Sequence, residues 1–158
     1  MKKILITGNS GRVGTELTKR LVKDYEVHGL DIKAPQVMPN VHYNFDIRKL
    51  FTSDIEFDCV IHLAALVNKE ESNQIPIQYY ITNLNGTMNL VNRVKTKKFV
   101  FASSVEAQTC DNTYGISKRA AEDVVHEYFT THVNLPHVVV RFGDESVDEI
   151  CERIISSI

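Results

Sequence analysis

The chain has 158 residues, of which 43% are hydrophobic and 24% charged, and its formal net charge is -2. That length fits one domain able to bury a full core without disulfides or structural metals. Dispersed cations and near-neutral charge argue against a nucleic-acid surface, and no stretch approaches the roughly 20 apolar residues of a membrane span.

In chain order, the apolar run Ile4 to Ile6 between Lys3 and Thr7-Gly8 predicts a short buried strand. It is too short for the core of a secretory leader, although Lys2 and Lys3 precede it. Val13, Leu17, Leu21 and Val22 recur at helical spacing up to the break near Asp24. Glu26 to Leu30, closed by Asp31, predicts a second strand, so strand, helix and strand form a βαβ unit. Residues 41–45 and 57–63 predict a third and a fourth strand. A long helix is expected from about Pro76 to Val94, with Ile77, Ile81, Leu84, Met88 and Val91 in one apolar stripe. The basic run Lys95, Lys97 and Lys98 beside Arg93 reads as cations at the C-terminus of that helix. Residues 98–103 give a fifth strand, 113–129 a helix and 137–142 a sixth strand. The tail, 146–158, predicts a closing helix with Val147, Ile150, Ile154 and Ile155 spaced to pack on the sheet.

Short apolar strands between amphipathic helices imply a parallel sheet covered on both faces. The expected fold is therefore α/β, a doubly wound Rossmann sheet in a single domain, with strand order 3-2-1-4-5-6. Ligands on such sheets bind at the carboxyl ends of the strands near the switch point, so the residues just after strands one, four, five and six matter most. Cys59, Cys110 and Cys151 have no metal-type spacing and are odd in number, which fits a reducing, cytoplasmic setting. Cys59, inside DCVIHL, reads as a small core residue.

Directly after the first strand comes TGNSGRVG, with Gly8, Gly11 and Gly14 three residues apart and the helix starting inside the loop. Such a loop lets backbone approach a pyrophosphate and aims free helix N–H groups at it. Asp31 ends the second strand, where a carboxylate accepts hydrogen bonds from a ribose diol and repels a 2′-phosphate. NAD is expected, with NADP the lesser alternative because Arg12 or Lys33 could reach a 2′-phosphate. Val13, at the helix start, and Ile32, beside Asp31, join the expected cofactor contacts.

Tyr114 and Lys118, four residues apart in TYGISKRAAED, share one helical face. A free tyrosine is too weak an acid to serve as a base near neutrality. A cation about 4 Å away at an effective dielectric of 20 contributes roughly 4 kcal/mol, or about three pKa units before desolvation. Ser104, just past the fifth strand, is placed to hold a reacting oxygen.

The chain is similar to the extended short-chain dehydrogenase/reductases, in the NAD-dependent epimerase/dehydratase family. The resemblance rests on TGNSGRVG, Asp46-Ile47, HLAA (62–65), NLNGTMNLV (83–91), FVFASS (99–104) and YGISK (114–118), in the family's order over nearly the whole chain. It implies that Asp46 and Ile47 meet the adenine and that Leu63, Ala64 and Ala65 lie along the ribose and phosphates. It implies Asn83 near the active site in a structural or proton-relay role, Ser104 orienting the substrate oxygen, Tyr114 as acid/base, and Lys118 on the nicotinamide ribose. His62 reads as an edge-of-core histidine.

The family's dehydratases tend to carry Asp-Glu after the serine, and its sugar decarboxylases Ser-Glu, where this chain has Val105-Glu106. Glu106 is thus either an extra base or a surface glutamate. The stretch VEAQTCDNT is shorter than the family's loop, and after RFG (141–143) the chain passes at once to the closing helix. The expectation is one NAD(P)-binding domain over 1–158 with its substrate domain truncated or absent, and an open nicotinamide face. Two functions follow: an NAD-dependent oxidoreductase or epimerase acting on a sugar or nucleotide sugar, or an NAD(H)-binding regulatory or partner-dependent module without turnover. The resemblance also implies a homodimer formed by the helices that hold Asn83 and Tyr114.

Overall fold

A computed structural model describes residues 1–158. The first half alternates β1 (Lys3–Thr7), α1 (Arg12–Leu21), β2 (Glu26–Asp31), β3 (Val41–Asn44), β4 (Glu56–Phe57), β5 (Cys59–His62) and α2 (Lys69–Gln74). The long helix follows in three parts: α3 (Pro76–Tyr79), a π-helical stretch (Tyr80–Asn85) and α4 (Gly86–Arg93). The rest comprises β6 (Lys95–Thr96), β7 (Phe99–Ser104), α5 (Glu106–Thr109), α6 (Thr113–Glu127), a second π-helical stretch (Tyr128–His132), β8 (His137–Phe142) and α7 (Val147–Ile155).

The main sheet has six parallel strands in the order β3-β2-β1-β5-β7-β8. Counted along this sheet alone, that is the predicted 3-2-1-4-5-6, a single-domain Rossmann-like fold. The predicted fourth strand proves to be two pieces. Glu56–Phe57 leaves the main sheet and pairs with Lys95–Thr96, and only Cys59–His62 runs between β1 and β7.

Strands buried on both faces read as near-continuous apolar runs, and β1, β5 and β7 supply Ile4–Ile6, Cys59–Ile61 and Phe99–Ala102, with polar residues only at their ends. One core layer lies under α4 and α6 and holds Leu5, Val60, Phe99, Phe101, Leu90 and Phe129. The other lies under α1 and α7 and holds Ile4, Ile6, Leu17, Val100, Ile150 and Ile154. Full burial of each such side chain contributes about 1.5–3 kcal/mol. Cys59 sits in the second layer as expected, its thiol pushed up to about 12 by burial. α7 begins with a capping box, Ser146 Oγ accepting from Glu149 N and Glu149 Oε2 from Ser146 N.

The predicted stripe on the long helix divides. Val91 is in the core, but Ile77 is 64% and Met88 45% exposed, and the inward face instead carries Tyr79, Asn83, Thr87 and Leu90. The π-helical stretch widens the turn there and rotates later residues relative to a regular 3.6-residue helix. The basic run also departs from expectation. Arg93 ends the helix, Lys95 lies in β6, Lys97 pairs with Asp58 at 2.8 Å, and Lys98 reaches the Ile158 carbonyl at 3.4 Å. No helix is long and apolar enough to cross a membrane.

Candidate active site

The carboxyl ends of β1, β2, β5, β7 and β8 open on one cleft of about 870 Å³. One end of it is the glycine loop. Gly8 has φ +73, and a Cβ on Gly14 would stand 2.2 Å from the Gly8 carbonyl oxygen, so side chains at either position would force the loop apart. Gly11 caps α1 without a side-chain bond, and the first helical-type bond runs from Thr15 N to the Gly11 carbonyl at 2.8 Å. The N–H groups of Arg12, Val13 and Gly14 therefore have no partner within the helix, an anion-receptive arrangement facing the cleft.

Asp31 stands at the neighbouring corner, where Oδ2 accepts from Ser10 N at 3.0 Å and Oδ1 from Lys33 N at 2.9 Å. Ile32 and Lys33 line the cleft beside it. Asp46 also lines it, but its carboxylate is held by the Arg48 guanidinium, Nη2 to Oδ2 at 2.5 Å, which lowers its pKa. Ile47 turns its other side inward, and a Cβ on Gly86 would lie 2.8 Å from Ile47 Cδ1. Leu63, Ala64 and Ala65 form the floor after β5. An adenine dinucleotide fits this donor set: unpartnered N–H groups for phosphate, a carboxylate for a ribose diol, and small residues between.

At the other end Ser104, Tyr114 and Lys118 line the same cleft. Asn112 caps α6 by accepting from Gly115 N at 2.8 Å, which sets Tyr114 in the first turn. Gly115 is required by close approach, since a Cβ there would lie 2.4 Å from the Glu106 carbonyl oxygen. Tyr114 is 8% exposed, and burial pushes its phenol above the ordinary tyrosine value while the Ser104 hydroxyl beside it pulls the other way.

Lys118 does not couple to Tyr114 in the manner expected from their spacing. Its ammonium donates to the Ala102 carbonyl at 2.6 Å and lies 4.3 Å from the Phe101 ring centroid, and burial draws its pKa down to about 7. The cation that favours ionisation of Tyr114 here is Lys69, at the start of α2. Lys69 is itself paired with Glu106, whose Oε2 also accepts from Asn112 Nδ2 at 2.8 Å. Glu106 is therefore neither free nor in a loop; it begins α5.

Asn83 lies outside the cleft lining. Its Oδ1 accepts from Leu66 N at 2.8 Å, and its Nδ2 donates to the Leu66 carbonyl at 2.9 Å and to Ser117 Oγ at 3.0 Å, tying the β5 loop to α6. His62 is fully buried between Thr7 Oγ1 at 2.6 Å and Thr87 Oγ1 at 2.9 Å.

α2 lies against the start of α6, with Ser72 Oγ accepting from Tyr114 N and Asn73 Oδ1 from Thr113 N, both at 3.1 Å. Sequence reasoning missed this helix, as it missed Lys69. The Asn68 cap followed by Glu70 and Glu71 was its available signal.

Residues 4–144 match the model of the NAD dependent epimerase/dehydratase family. Among curated proteins, the chain is 31% identical over 173 residues to UDP-glucose 4-epimerase of Mycoplasma pneumoniae, covering 87% of this chain and 50% of that protein. It is 26% identical to UDP-glucose 4-epimerase 2 of Oryza sativa subsp. japonica, covering 90% and 44%. Among solved structures, the UDP-Glc/GlcNAc 4-epimerase of Campylobacter jejuni superposes with a TM-score of 0.79 at 25% identity, over 89% of this chain and 53% of that one. The Bordetella bronchiseptica enzyme WbmF in complex with NAD+ gives 0.78 at 26% identity, over 90% and 49%. The chain thus spans about half the length of these relatives. With the family model matched over most of its length, the chain belongs to the NAD-dependent epimerase/dehydratase family.

Proposed function

We propose that these residues form the cofactor-binding, hydride-transfer part of an NAD-dependent enzyme acting at a hydroxyl-bearing carbon of a sugar or nucleotide sugar. The observation that carries the reading is the single cleft joining the glycine loop and Asp31 to Ser104, Tyr114 and Lys118. The loop N–H groups would hold the pyrophosphate and Asp31 the adenosine ribose, favouring NAD over NADP. NAD, when bound, supplies the carbon that accepts or returns a hydride. Ser104 holds the substrate oxygen and Tyr114 takes its proton during oxidation.

In the free protein Tyr114 is not a base near neutrality. Moving the Lys118 ammonium from the Ala102 carbonyl towards the ribose and the phenol would bring a cation to it. At about 4 Å and an effective dielectric of 20 this contributes roughly 4 kcal/mol, enough to make tyrosinate accessible. The sugar is either small or held by groups beyond these residues. A homodimer through the long helix, from α3 to α4, and α6 is part of the reading, supported by the exposed Ile77, Met88 and Ile116.

A second reading, an NAD(H)-binding regulatory or partner-dependent module without turnover, is favoured by the bond of Lys118 to Ala102 and the raised Tyr114 phenol. The two readings part in one experiment. The protein is mixed with NAD and a panel of sugars, uronates and nucleotide sugars, with NADH absorbance and epimer interconversion followed together. Turnover lost in Tyr114→Phe supports the enzyme. No turnover, with NAD affinity unchanged in Tyr114→Phe and Ser104→Ala, supports the module.

A further inference from the structure

Lys118 and Glu122 stand one turn apart on the same face of α6, and both are buried. The two neighbours that Lys118 touches, the Ala102 carbonyl and the Phe101 ring, offer only partial charges. The titratable groups facing it differ in kind. His62, from β5, is kept neutral by burial, and Tyr114, on the same helix, stays a phenol. Glu122 is the carboxylate that acts on Lys118. Without it, an ammonium this deeply buried would tend to lose its proton.

Glu122 in turn is gripped from β8. Arg141 donates from Nε to Oε1 at 2.9 Å and from Nη2 to Oε2 at 2.6 Å, a two-point clamp that keeps the carboxylate ionised despite burial. Arg141 is the register partner of Ser103, next to Ser104. The pair thereby ties the Lys118 turn of α6 to the strand ends that bear the site. Neither Glu122 nor Arg141 lines the cleft.

We propose that Glu122 is a positioning residue of this site: clamped by Arg141, it fixes the turn of α6 that carries Lys118 and sets a buried negative charge one turn from the Lys118 side chain. The Lys118-Xaa-Xaa-Xaa-Glu122 spacing carries this in the sequence, and Arg141 completes it in space. The inference rests on the proposed role of Lys118 toward the cofactor, but its test needs no cofactor.

The measurement is the titration of Lys118 by NMR in protein labelled at the lysine Cε carbons, with the signal assigned by its loss in Lys118→Met. In the unmodified protein the midpoint is expected near 7. In Glu122→Gln it falls by about one unit or more, leaving about one in ten Lys118 side chains charged at pH 7. In Arg141→Met, where the buried carboxylate loses the clamp that keeps it ionised, it falls as well, by no more than in Glu122→Gln. If a single variant does not fold, the double variant Glu122→Gln/Arg141→Gln, which leaves no unpaired charge, reproduces the fall. An unmoved midpoint in either single variant overturns the proposal. Absence of NAD binding would instead sink the functional reading and leave this titration unchanged.

Discussion

Ser72 Oγ accepts the backbone N–H of Tyr114 at 3.1 Å and donates to the Lys69 carbonyl at 2.5 Å. One buried hydroxyl thus joins α2 to the first turn of α6, where the helix's own bonds leave the N–H of Tyr114 without a partner. Removing it strands a buried donor, which costs about 1–3 kcal/mol. Ser72→Ala is expected to lose stability of that order in urea unfolding, whereas Asn73→Ala, whose bond to Thr113 is exposed, loses no more than about 1 kcal/mol. Equal losses in the two variants would show that α2 does not anchor Tyr114.

Asp31 accepts two backbone N–H groups and still faces the cleft. If it reads a ribose diol, Asp31→Asn should weaken NADH binding about tenfold, while NADPH, relieved of a facing carboxylate, gains relative to it. Titration of bound-nucleotide fluorescence reports both. A ratio of NADH to NADPH affinity that does not change in Asp31→Asn would remove Asp31 from the cofactor site.

The elements that set this corner were legible because each rests on a local rule. Gly8 and Gly14 mark backbone that no side chain could occupy, and Asp31 is polar at the end of a buried strand. The inward face of the long helix was not legible. Asn83 and Thr87 are buried there because the Leu66 backbone, Ser117 and His62 satisfy them, partners that lie far away in the chain. An apolar-stripe reading assigns such residues outward, and the π-helical stretch at Tyr80–Asn85 shifts the face further. The contact of Lys118 in the free protein was not legible for a different reason: spacing gives a shared face with Tyr114 but not a rotamer, and the Ala102 carbonyl holds the ammonium.

The apolar residues left outside by that shift give the dimer its test. Ile77 and Met88 are largely exposed on the long helix, and Ile116 adds to the apolar surface of α6. Ile77→Glu with Met88→Glu should leave the far-UV circular dichroism of the fold unchanged, because neither side chain is in the core, yet convert a micromolar dimer to monomer in sedimentation velocity. A monomeric unmodified protein at that concentration rejects the interface outright.

His62 supplies the prediction on pH. Thr87 Oγ1 donates to the Asn83 carbonyl at 2.6 Å, so it accepts from His62 Nε2–H, and His62 Nδ1 is left to accept from the Thr7 hydroxyl. A proton on Nδ1 would meet that donor, in a site without water access, and burial draws the His62 pKa down to about 3. The unfolded chain protonates this imidazole below about 6.5, whereas the native chain does not until about pH 3. The stabilisation from neutral His62 is therefore complete above about 6.5 and is lost progressively as the pH falls towards 3. In His62→Gln the acid-side slope of unfolding free energy between pH 4 and 6 should be shallower by up to about 1.4 kcal/mol per pH unit, one proton's worth. The native carboxylates titrate in both proteins and cancel in the comparison. Parallel slopes in the two proteins would mean that His62 takes up its proton in the folded state at an ordinary pH, and that the Thr7–His62–Thr87 chain does not hold it neutral.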